Sequence, residues 1–397
     1  MLSASRLGLF VSVSRPLLGQ VMSKEAAVDA PADSGAAAAA GSAPREIKRA
    51  SRGRKRDGPR PVTASAQEPL FDSFGRRHNY LRISLTERCN LRCVYCMPEQ
   101  GIDLTPSESL LTTDEIIKIA ATFADMGVTK IRLTGGEPLV RKDIIEVCEQ
   151  LGAIPGIKQL GITTNGILLP RYVERLRRAG VTGLNVSLDT LDSDRYMLIT
   201  RRNGLNKVLD SIRLAEALGY DPVKINCVVM RGVNDDELGA FAELTRDRAL
   251  EVRFIEYMPF DDNKWERRKM LPFMEMMDKI EAHHGLKLAH ESRGETAQLF
   301  RLPGFRGRVG FIASMTTAFC GTCNRLRLTA DGNLKVCLFG EDEWSMRDAL
   351  RAPGATDNSV RELARDALWA KYAAHGGKAS AEDIAASANR PMIKIGG

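Results

Sequence analysis

The sequence predicts an α/β fold built around a parallel sheet, and two observations carry that prediction. Strand-like runs alternate with helical segments over the middle of the 397-residue chain, and such alternation makes successive strands parallel. Most of the motifs described below follow a strand directly, at the end where α/β barrels gather their active sites. The six strand-like runs begin near Leu81, Lys130, Gln159, Gly183, Val223 and Glu251, and the helical segments include 113–126, 170–179 and 206–218.

The first strand-like run, 81–86, is followed by three cysteines in the spacing C-x3-C-x2-C: Cys89, Cys93 and Cys96. Three thiolates are one too few for a closed tetrahedral zinc site, whereas a four-iron four-sulfur cluster held by three cysteines keeps one iron open for a ligand. A zinc site that takes its fourth ligand from elsewhere is the alternative. Tyr95 beside the last cysteine, and the lack of a His at zinc-finger spacing, favour the cluster.

The second strand-like run ends in Gly135-Gly136-Glu137-Pro138. Adjacent glycines let the backbone approach a ligand closely, and proline fixes the exit from the strand. Alone, this motif is an ordinary strand-to-helix turn. Together with the cysteine loop it resembles the radical S-adenosylmethionine (SAM) superfamily. The resemblance implies an open (β/α)6 partial TIM barrel, a cluster on the cysteine loop, and a glycine motif that binds the methionine amino group of SAM.

A second set of three cysteines, Cys320, Cys323 and Cys337, lies far downstream in the spacing C-x2-C-x13-C. Disulfides are one alternative, but no secretory signal is visible and a chain of this length does not need them. A zinc site is another alternative. The two remaining cysteines, Cys148 and Cys227, sit in apolar segments and are predicted to be buried core thiols.

Between the second and third of these cysteines, Arg325 and Arg327 stand two residues apart in CNRLRLTADG. On a strand, both guanidinium groups face the same side. Arginine forks match phosphate oxygens well, so the pair predicts an anion pocket beside a second metal site. The alternative is a solvated strand face.

With these residues the chain resembles, more closely, the GTP 3',8-cyclases of molybdenum cofactor biosynthesis, in their eukaryotic form. The resemblance runs from about residue 72 to the end and rests on motifs in family order: LRISLTERCNLRCVYCMP, IRLTGGEPL, TTNG, NVSLDTLD, VKIN and CGTCNRLRLT. It implies a lyase that converts GTP to 3',8-cyclo-7,8-dihydro-GTP after a 5'-deoxyadenosyl radical takes the C3' hydrogen. A radical peptide modifier with an auxiliary cluster is the alternative enzyme.

The resemblance also assigns roles to individual residues. Two [4Fe-4S] clusters and SAM are the implied cofactors, and the terminal Gly-Gly is implied to enter the active site. The implied cluster ligands are Cys89, Cys93 and Cys96 in the first set and Cys320, Cys323 and Cys337 in the second. The implied SAM contacts are Tyr95, Gly136, Ser187 and Met258. The implied GTP contacts are Arg82, Arg132, Thr163, Lys224, Arg325, Leu326 and Arg327, and a catalytic role is implied for Gly396 and Gly397.

The chain has a net charge of +7, of which +5 falls in residues 1–70. Residues 1–24 combine Arg and Ser with apolar spacing and contain no acid, as mitochondrial presequences do, and this predicts the mitochondrial matrix. Residues 45–61 form a basic run that reads as a solvated linker, with nucleic-acid binding as the alternative. The predicted domains are therefore 1–70, a presequence and linker; 71–300, a barrel; and 301–397, an auxiliary-cluster and substrate region.

The remaining expectations concern partners. No apolar run is long enough to span a bilayer, and neither a P-loop nor a G-x-G-x-x-G motif is present, so GTP would be bound in another way. The resemblance implies cyclic pyranopterin monophosphate synthase as the recipient of the product, together with an unidentified electron donor. A homodimer stays open. The competing hypothesis from another class is a zinc-stabilised module whose basic tail binds nucleic acid.

Overall fold

Twelve strands form one mixed sheet in the computed structural model, which describes residues 68–261, 263–293 and 296–396. The strand order is β12-β11-β10-β1-β2-β3-β4-β5-β6-β9-β8-β7, and the sheet does not close. The strands are β1 Tyr80–Ser84, β2 Lys130–Thr134, β3 Gln159–Thr164, β4 Gly183–Ser187, β5 Val223–Val229, β6 Leu250–Glu256, β7 Ala289–Arg293, β8 Gln298–Arg301, β9 Arg308–Ile312, β10 Arg325–Leu328, β11 Asn333–Lys335 and β12 Trp344–Ser345.

The six predicted strands are confirmed as β1–β6, and all their neighbouring pairs are parallel. Two further strands extend this parallel block to eight, because β9 pairs with β6 and β10 pairs with β1. Both come from the C-terminal third of the chain. The architecture is the predicted open partial barrel, with antiparallel strands added at either edge.

The strands β9 and β10 follow one another in the chain but lie on opposite sides of the six-stranded block. Residues 313–324 therefore run from one side of the barrel to the other. Two of the predicted cluster ligands, Cys320 and Cys323, lie on this crossing segment. The path of the chain thus brings the second cysteine set to the barrel opening.

Helices cover the strand connections, and their limits follow local capping chemistry. The Thr112 hydroxyl accepts a hydrogen bond from the Glu115 amide and Glu115 returns one, a capping box that begins α1 where the sequence predicts it. The predicted helix 170–179 begins later, at Val173, since Pro170 lies in a short 3-10 turn. The helices are α1 Thr113–Asp125, α2 Ile144–Gly152, α3 Val173–Arg178, α4 Ser193–Thr200, α5 Leu205–Ala217, α6 Leu238–Glu243, α7 Phe273–His284, α8 Met346–Arg351, α9 Asp357–Trp369, α10 Ala381–Ala386 and α11 Met392–Ile395.

Alternation along the strands separates an apolar core from a polar inner face. Leu81 and Ile83 of β1 are completely buried in the core between sheet and helices, and Arg82 between them faces a cavity. The predicted core thiols Cys148 and Cys227 are buried in the same core. No helix in the described part of the chain is both long and apolar enough to cross a membrane. The proposed division at residue 300 falls within β8 and stays a prediction.

Candidate active site

A cavity of about 370 Å³ lies on the inner face of the parallel strands. Strand residues from β1 to β6, the crossing segment, β10 and the C-terminal tail all contribute to its wall. The residues predicted from the sequence that line it are Arg82, Tyr95, Arg132, Thr163, Lys224, Met258, Cys320, Cys323, Arg325, Arg327, Cys337 and Gly396. Most of the sites predicted separately along the chain therefore meet in one space.

Strand register places three arginines side by side on one wall of the cavity. Arg327 of β10, Arg82 of β1 and Arg132 of β2 are aligned across neighbouring strands. One row further down, Tyr80 aligns with Arg325 on one side and Lys130 on the other. Adjacent buried cations repel one another. This wall is suited to an anion that carries several negative charges.

The pKa values of residues in this wall reflect that repulsion. Burial, then the neighbouring Arg325 and Arg82, lowers the pKa of Arg327 below its usual value. Burial would raise the pKa of Tyr80, but Arg132, Arg82 and Lys130 outweigh it and bring the pKa to about 7. The Arg132 Nε donates a 2.8 Å hydrogen bond to the Tyr80 hydroxyl. The Tyr80 hydroxyl is thus one group of this wall that can balance the positive charge of Arg132.

Several buried polar atoms of the cavity wall have no hydrogen-bond partner within the described residues. They are Thr163 Oγ1, Asn185 Oδ1, Asn226 Oδ1, Arg325 Nε and Arg327 Nε. Native proteins rarely leave such atoms unpaired, because an unsatisfied buried polar group costs about 1–3 kcal/mol. Donors and acceptors that face the same cavity fit a ligand with a polar base and phosphate oxygens.

The first cysteine loop packs directly against the glycine motif. The Gly136 amide donates to the Thr86 carbonyl over 2.7 Å. A Cβ at Gly136 would lie 2.4 Å from the Arg88 carbonyl oxygen, so only glycine permits this approach. Gly136 and Ser187 do not line the cavity itself. Ser187 ends β4 in register with Asn226, which does line it.

A buried carboxylate joins three of the sequence motifs. Glu137 accepts hydrogen bonds from the Leu139 amide, the Thr164 hydroxyl and the Asn165 amide. The Asn165 side chain in turn donates to Asn90 Oδ1 of the cysteine loop over 2.7 Å. Burial raises the pKa of Glu137 to about 7 in spite of these bonds. The network fixes the glycine motif, the TTNG segment and the cysteine loop relative to one another.

The surroundings of the first set are apolar and acidic. Cys93 and Cys96 pack against a cluster that contains Tyr95, Met230 and Tyr257. The Tyr95 hydroxyl donates a 2.7 Å hydrogen bond to Asp189, whose pKa burial raises to about 6. Burial and then Cys89 and Asp189 raise the pKa of Cys96 to about 12. Positive charge from bound iron would offset the cost of forming thiolates here.

The surroundings of the second set are basic. Burial would raise the pKa of Cys323, but Lys371 and Arg325 outweigh it and lower the pKa to about 7. The Lys371 ammonium group is buried, donates to the Val336 carbonyl and lies 3.8 Å from the Cys323 sulfur. Cys323 therefore forms a thiolate more readily than an ordinary cysteine, even before a metal binds.

All eight cysteines are free thiols, so no disulfide joins the two sets. Within the residues described, no three His, Cys, Asp or Glu side chains are grouped to hold a single metal ion. A four-iron cluster takes one thiolate per iron, so its three ligands do not have to meet at one point. Each set of three accessible, free thiols is suited to that arrangement.

The C-terminal tail enters the cavity between the ends of β1 and β2. Gly396 has φ of +83°, and its carbonyl accepts a 3.4 Å hydrogen bond from Arg82. A Cβ on Gly396 would lie 2.3 Å from the Thr134 hydroxyl oxygen. The tail thus takes a path that only glycine can follow at this position. Gly397, predicted as its partner, lies outside the described residues.

The cavity wall contains residues that the sequence analysis did not predict, and one predicted residue has a side chain that points away from the cavity. The Leu326 side chain is buried in the apolar core, so only its backbone lies near the cavity wall. The missed cavity residues include the polar strand residues Tyr80, Lys130, Asn185, Asn226, Glu251 and Arg253. The two-residue period of β1, β2, β4 and β5 could have revealed the first four, because it places each on the same strand face as a predicted site residue. The same period on β6 pairs Glu251 with Arg253.

Two family models match the chain in succession. The Radical SAM superfamily model matches residues 83–245, and the Molybdenum Cofactor Synthesis C model matches residues 250–377. The mitochondrial GTP 3',8-cyclase of Arabidopsis thaliana is 55% identical over 329 residues, which cover 83% of this chain and 83% of that protein. The chain belongs to the GTP 3',8-cyclase family of radical SAM enzymes.

Other members of this family differ from the chain in length. The GTP 3',8-cyclase of Thermodesulfovibrio yellowstonii is 44% identical, over 74% of this chain and 91% of that protein. The human molybdenum cofactor biosynthesis protein 1 is 53% identical over 82% of this chain, but the match spans only 51% of that protein. The chain thus spans about half the length of such animal relatives.

A solved structure supports the fold alone. The model superposes on SuiB of Streptococcus suis with a TM-score of 0.51 at 14% identity, covering 75% of this chain and 68% of SuiB. Family membership implies SAM and a [4Fe-4S] cluster as cofactors. The first cysteine loop lies within the residues that the superfamily model matches.

Proposed function

We propose that this protein is a GTP 3',8-cyclase, a lyase that converts GTP to 3',8-cyclo-7,8-dihydro-GTP in the first step of molybdenum cofactor biosynthesis. The single observation that carries the proposal is the cavity, which has an arginine wall and is also lined by the second three-cysteine set and by Tyr95 of the first cysteine loop. Zinc modules and nucleic-acid binding do not account for a buried cation row on the inner face of a barrel.

We assign the first cysteine set, Cys89, Cys93 and Cys96, to the SAM-binding cluster. When bound, that cluster and SAM supply the 5'-deoxyadenosyl radical that removes the C3' hydrogen of GTP. The chain's contribution is position: Glu137 and Gly136 hold the methionine-binding motif against the loop. Met258 at the cavity wall, the Tyr95 backbone and Ser187 are the remaining proposed contacts of SAM.

We assign the arginine wall to the triphosphate and the second cysteine set to a second [4Fe-4S] cluster. Arg82, Arg132, Arg325 and Arg327 offer planar forks for phosphate oxygens. Lys224, in register with Asn185, lies across the cavity, where burial and then Arg253 lower its pKa to about 8. The unpaired atoms of Thr163, Asn185 and Asn226 are available to the ribose and base. Cys320, Cys323 and Cys337 would hold the second cluster at the same cavity, where it would supply an iron for the guanine ring.

Anaerobic incubation with GTP, SAM and a reductant, followed by mass analysis of the nucleotide, tests substrate and reaction together. We expect a cyclised nucleotide together with 5'-deoxyadenosine. GTP that carries deuterium at C3' should transfer that deuterium to 5'-deoxyadenosine. Transfer from another position, or no transfer with GTP fully consumed, would contradict the proposed hydrogen abstraction.

The location in the cell and the partners of the protein are also proposals. The name of the Arabidopsis relative gives a mitochondrial location, and we propose the mitochondrial matrix for this chain. The predicted presequence that suggests it lies outside the described residues, as does the basic linker at 45–61. Cyclic pyranopterin monophosphate synthase is the proposed recipient of the product, and the first cluster requires an electron donor. Nucleic acid and membrane are not proposed partners.

A further inference from the structure

A short segment before β1, residues 70–79, lies against the second cysteine set, and we call it the strap. Backbone hydrogen bonds attach both ends to the rest of the protein: the Leu70 amide donates to the Met126 carbonyl, and the Asn79 carbonyl accepts from the Thr129 amide. Within the strap, the His78 amide donates to the Leu70 carbonyl over 2.7 Å. A bridge between Phe71 and Arg77 closes it into a small loop. The strap precedes the residues matched by either family model.

Asp72 organises the strap from within. Its carboxylate accepts hydrogen bonds from the backbone amides of Phe74 and Arg76, at 2.9 and 3.0 Å. The second carboxylate oxygen accepts a 2.6 Å hydrogen bond from the Arg76 Nε. The turn needs Gly75 at φ of +76°. Since Asp72 is only 3% exposed, this pairing fixes the direction of the Arg76 side chain.

The far end of Arg76 reaches three backbone carbonyls that belong to the second site. One terminal nitrogen donates to Cys320 and to Ala373, both at 2.7 Å, and the other donates to Tyr372 at 3.0 Å. Cys320 is the first ligand of the second set. Tyr372 and Ala373 directly follow Lys371, the cation beside Cys323. One guanidinium group thus ties the cysteine loop to the segment that carries its cation.

The strap also holds the other end of the same cysteine loop. The Asn324 side chain donates a 2.9 Å hydrogen bond to Asn79 Oδ1, and the Tyr80 amide donates to the Asn324 carbonyl over 3.3 Å. Between Cys320 and Asn324 the loop is a single 3-10 turn. A turn of that length has little stability of its own. Its position therefore depends on contacts such as these.

We propose that the strap is a positioning element for the second cluster, with Asp72 and Arg76 as the residues that carry this role. The inference rests on the proposed function in that the second cysteine set holds a cluster. Arg76 contacts no reacting group itself. It ties the backbone of Cys320 to the segment that carries Lys371, the cation beside Cys323. Lysine cannot replace it, since one ammonium group cannot reach three carbonyls and a carboxylate in a plane.

The test compares Arg76→Gln and Arg76→Lys with wild type and with Arg178→Gln, which removes an exposed ion pair with Glu174. Reconstituted wild type should carry about eight irons per chain, four for each cluster. We expect Arg76→Gln to keep about four, with SAM cleavage at the wild-type rate. Arg76→Lys should fall between the two, and Arg178→Gln should match wild type.

Thiol alkylation of the unreconstituted protein gives a readout that does not depend on a second cluster. In Arg76→Gln we expect Cys320 and Cys323 to react several-fold faster than in wild type, and Cys89, Cys93 and Cys96 to react at unchanged rates. If wild type holds only about four irons, the second cluster of the proposed function fails, while this measurement still reports on the strap.

Three outcomes would overturn the inference. The first is an Arg76→Gln protein with full iron content and wild-type alkylation rates. The second is equal loss of both clusters in Asp72→Asn, a milder change that keeps one side-chain acceptor for the strap amides. The third is full recovery of the second cluster in Arg76→Lys, which would reduce Arg76 to a simple charge.

Discussion

The two cysteine sets have the same number of thiols but opposite surroundings. The first lies among apolar side chains and the buried acids Glu137 and Asp189, and burial raises the pKa of its thiols. The second lies among Lys371, Arg325 and Arg327, which lower the pKa of Cys323 to about 7. Charge near a cluster sets its reduction potential, since negative surroundings disfavour an added electron.

This contrast teaches how one fold can give two cysteine sets different surroundings, which fits the different tasks proposed for them above. A low potential at the first set suits a cluster that gives an electron to SAM. A cationic second set suits a cluster that works next to a nucleotide triphosphate. Neither assignment follows from the cysteine spacing, because spacing says how many ligands are present and nothing about the charge around them.

The largest expected effect comes from a substitution in the first cysteine set. Cys89→Ser should abolish SAM cleavage, since removing one thiolate destroys the cluster that donates the electron. High-performance liquid chromatography of 5'-deoxyadenosine measures this, with Cys148→Ala as a control that loses a buried thiol outside both sets. Wild-type cleavage in Cys89→Ser would remove the first set from the mechanism.

Cys320→Ser should produce the complementary defect. We expect loss of the second cluster and of GTP turnover, while the first cluster still cleaves SAM, at least slowly. Parallel assays of 5'-deoxyadenosine and of cyclised nucleotide separate the two activities. Intact GTP cyclisation in this variant would make the second set structural and would end the comparison drawn here.

The C-terminal tail supplies the next test, because Gly396 lines the same cavity as the arginine wall. Gly396→Ala, or deletion of residues 396 and 397, should leave iron content and GTP affinity near wild type but abolish the cyclised product. The physical reason is the 2.3 Å distance from a Cβ at Gly396 to the Thr134 hydroxyl. Isothermal titration and product assays decide it, and a fully active protein ending at Ile395 would return the tail to a passive role.

The substitutions Arg325→Ala and Arg327→Ala test whether the cations near the second cysteine set bind GTP. Each should weaken GTP binding by about 1.5–3 kcal/mol, the usual scale of a charge-assisted hydrogen bond. Equilibrium binding of GTP to each variant gives the number directly. Arg213→Ala, which removes an exposed ion pair with Asp210, is the matched control. Equal affinities in all four proteins would refute the phosphate role.

The smallest expected effect is a pH dependence that comes from Tyr80. Its pKa of about 7 means that the phenolate form, favoured by Arg132, Arg82 and Lys130, grows as pH rises through 7. A phosphate anion competes with the phenolate for these cations, so GTP binding should take up a proton and weaken above pH 7, by up to about tenfold per pH unit. Tyr80→Phe should lack this component when Kd is measured from pH 6.5 to 8.5. Parallel curves for both proteins would contradict it.

Prediction from the sequence worked where local pattern and local chemistry agree. The runs β1–β6 were visible because each is a short apolar strand between clear helical segments, and the cysteine loop and Gly136 carry their own spacing signals. The strand β9 and the pairing of β10 with β1 were missed because each strand gains its stability from a partner far away in the chain. Leu326 shows the same limit, since a strand triplet contains residues that face opposite ways.

The strap had no spacing motif, and the missed cavity residues had only the two-residue period of their strands. Arg76 contacts Cys320 and Ala373 only after folding brings together segments that are 244 and 297 residues apart in the chain. Tyr80 looked like an ordinary strand aromatic, and its unusual titration arises from cations on the neighbouring strand. Such features come from register and burial, which a sequence read one segment at a time does not show.

The crossing segment between β9 and β10 has a consequence for how the molecule is made. The strand β10 joins β1 only after some 240 intervening residues exist, as the pairing of Arg82 with Arg327 illustrates. Closing so long a loop is slow, because its entropy is lost before the contact forms. The first cysteine site, by contrast, packs mainly against neighbouring β-α units, whose contacts close shorter loops. Assembly of this enzyme is therefore expected to be sequential, with the nucleotide side completed last, after the C-terminal part of the chain has joined the barrel.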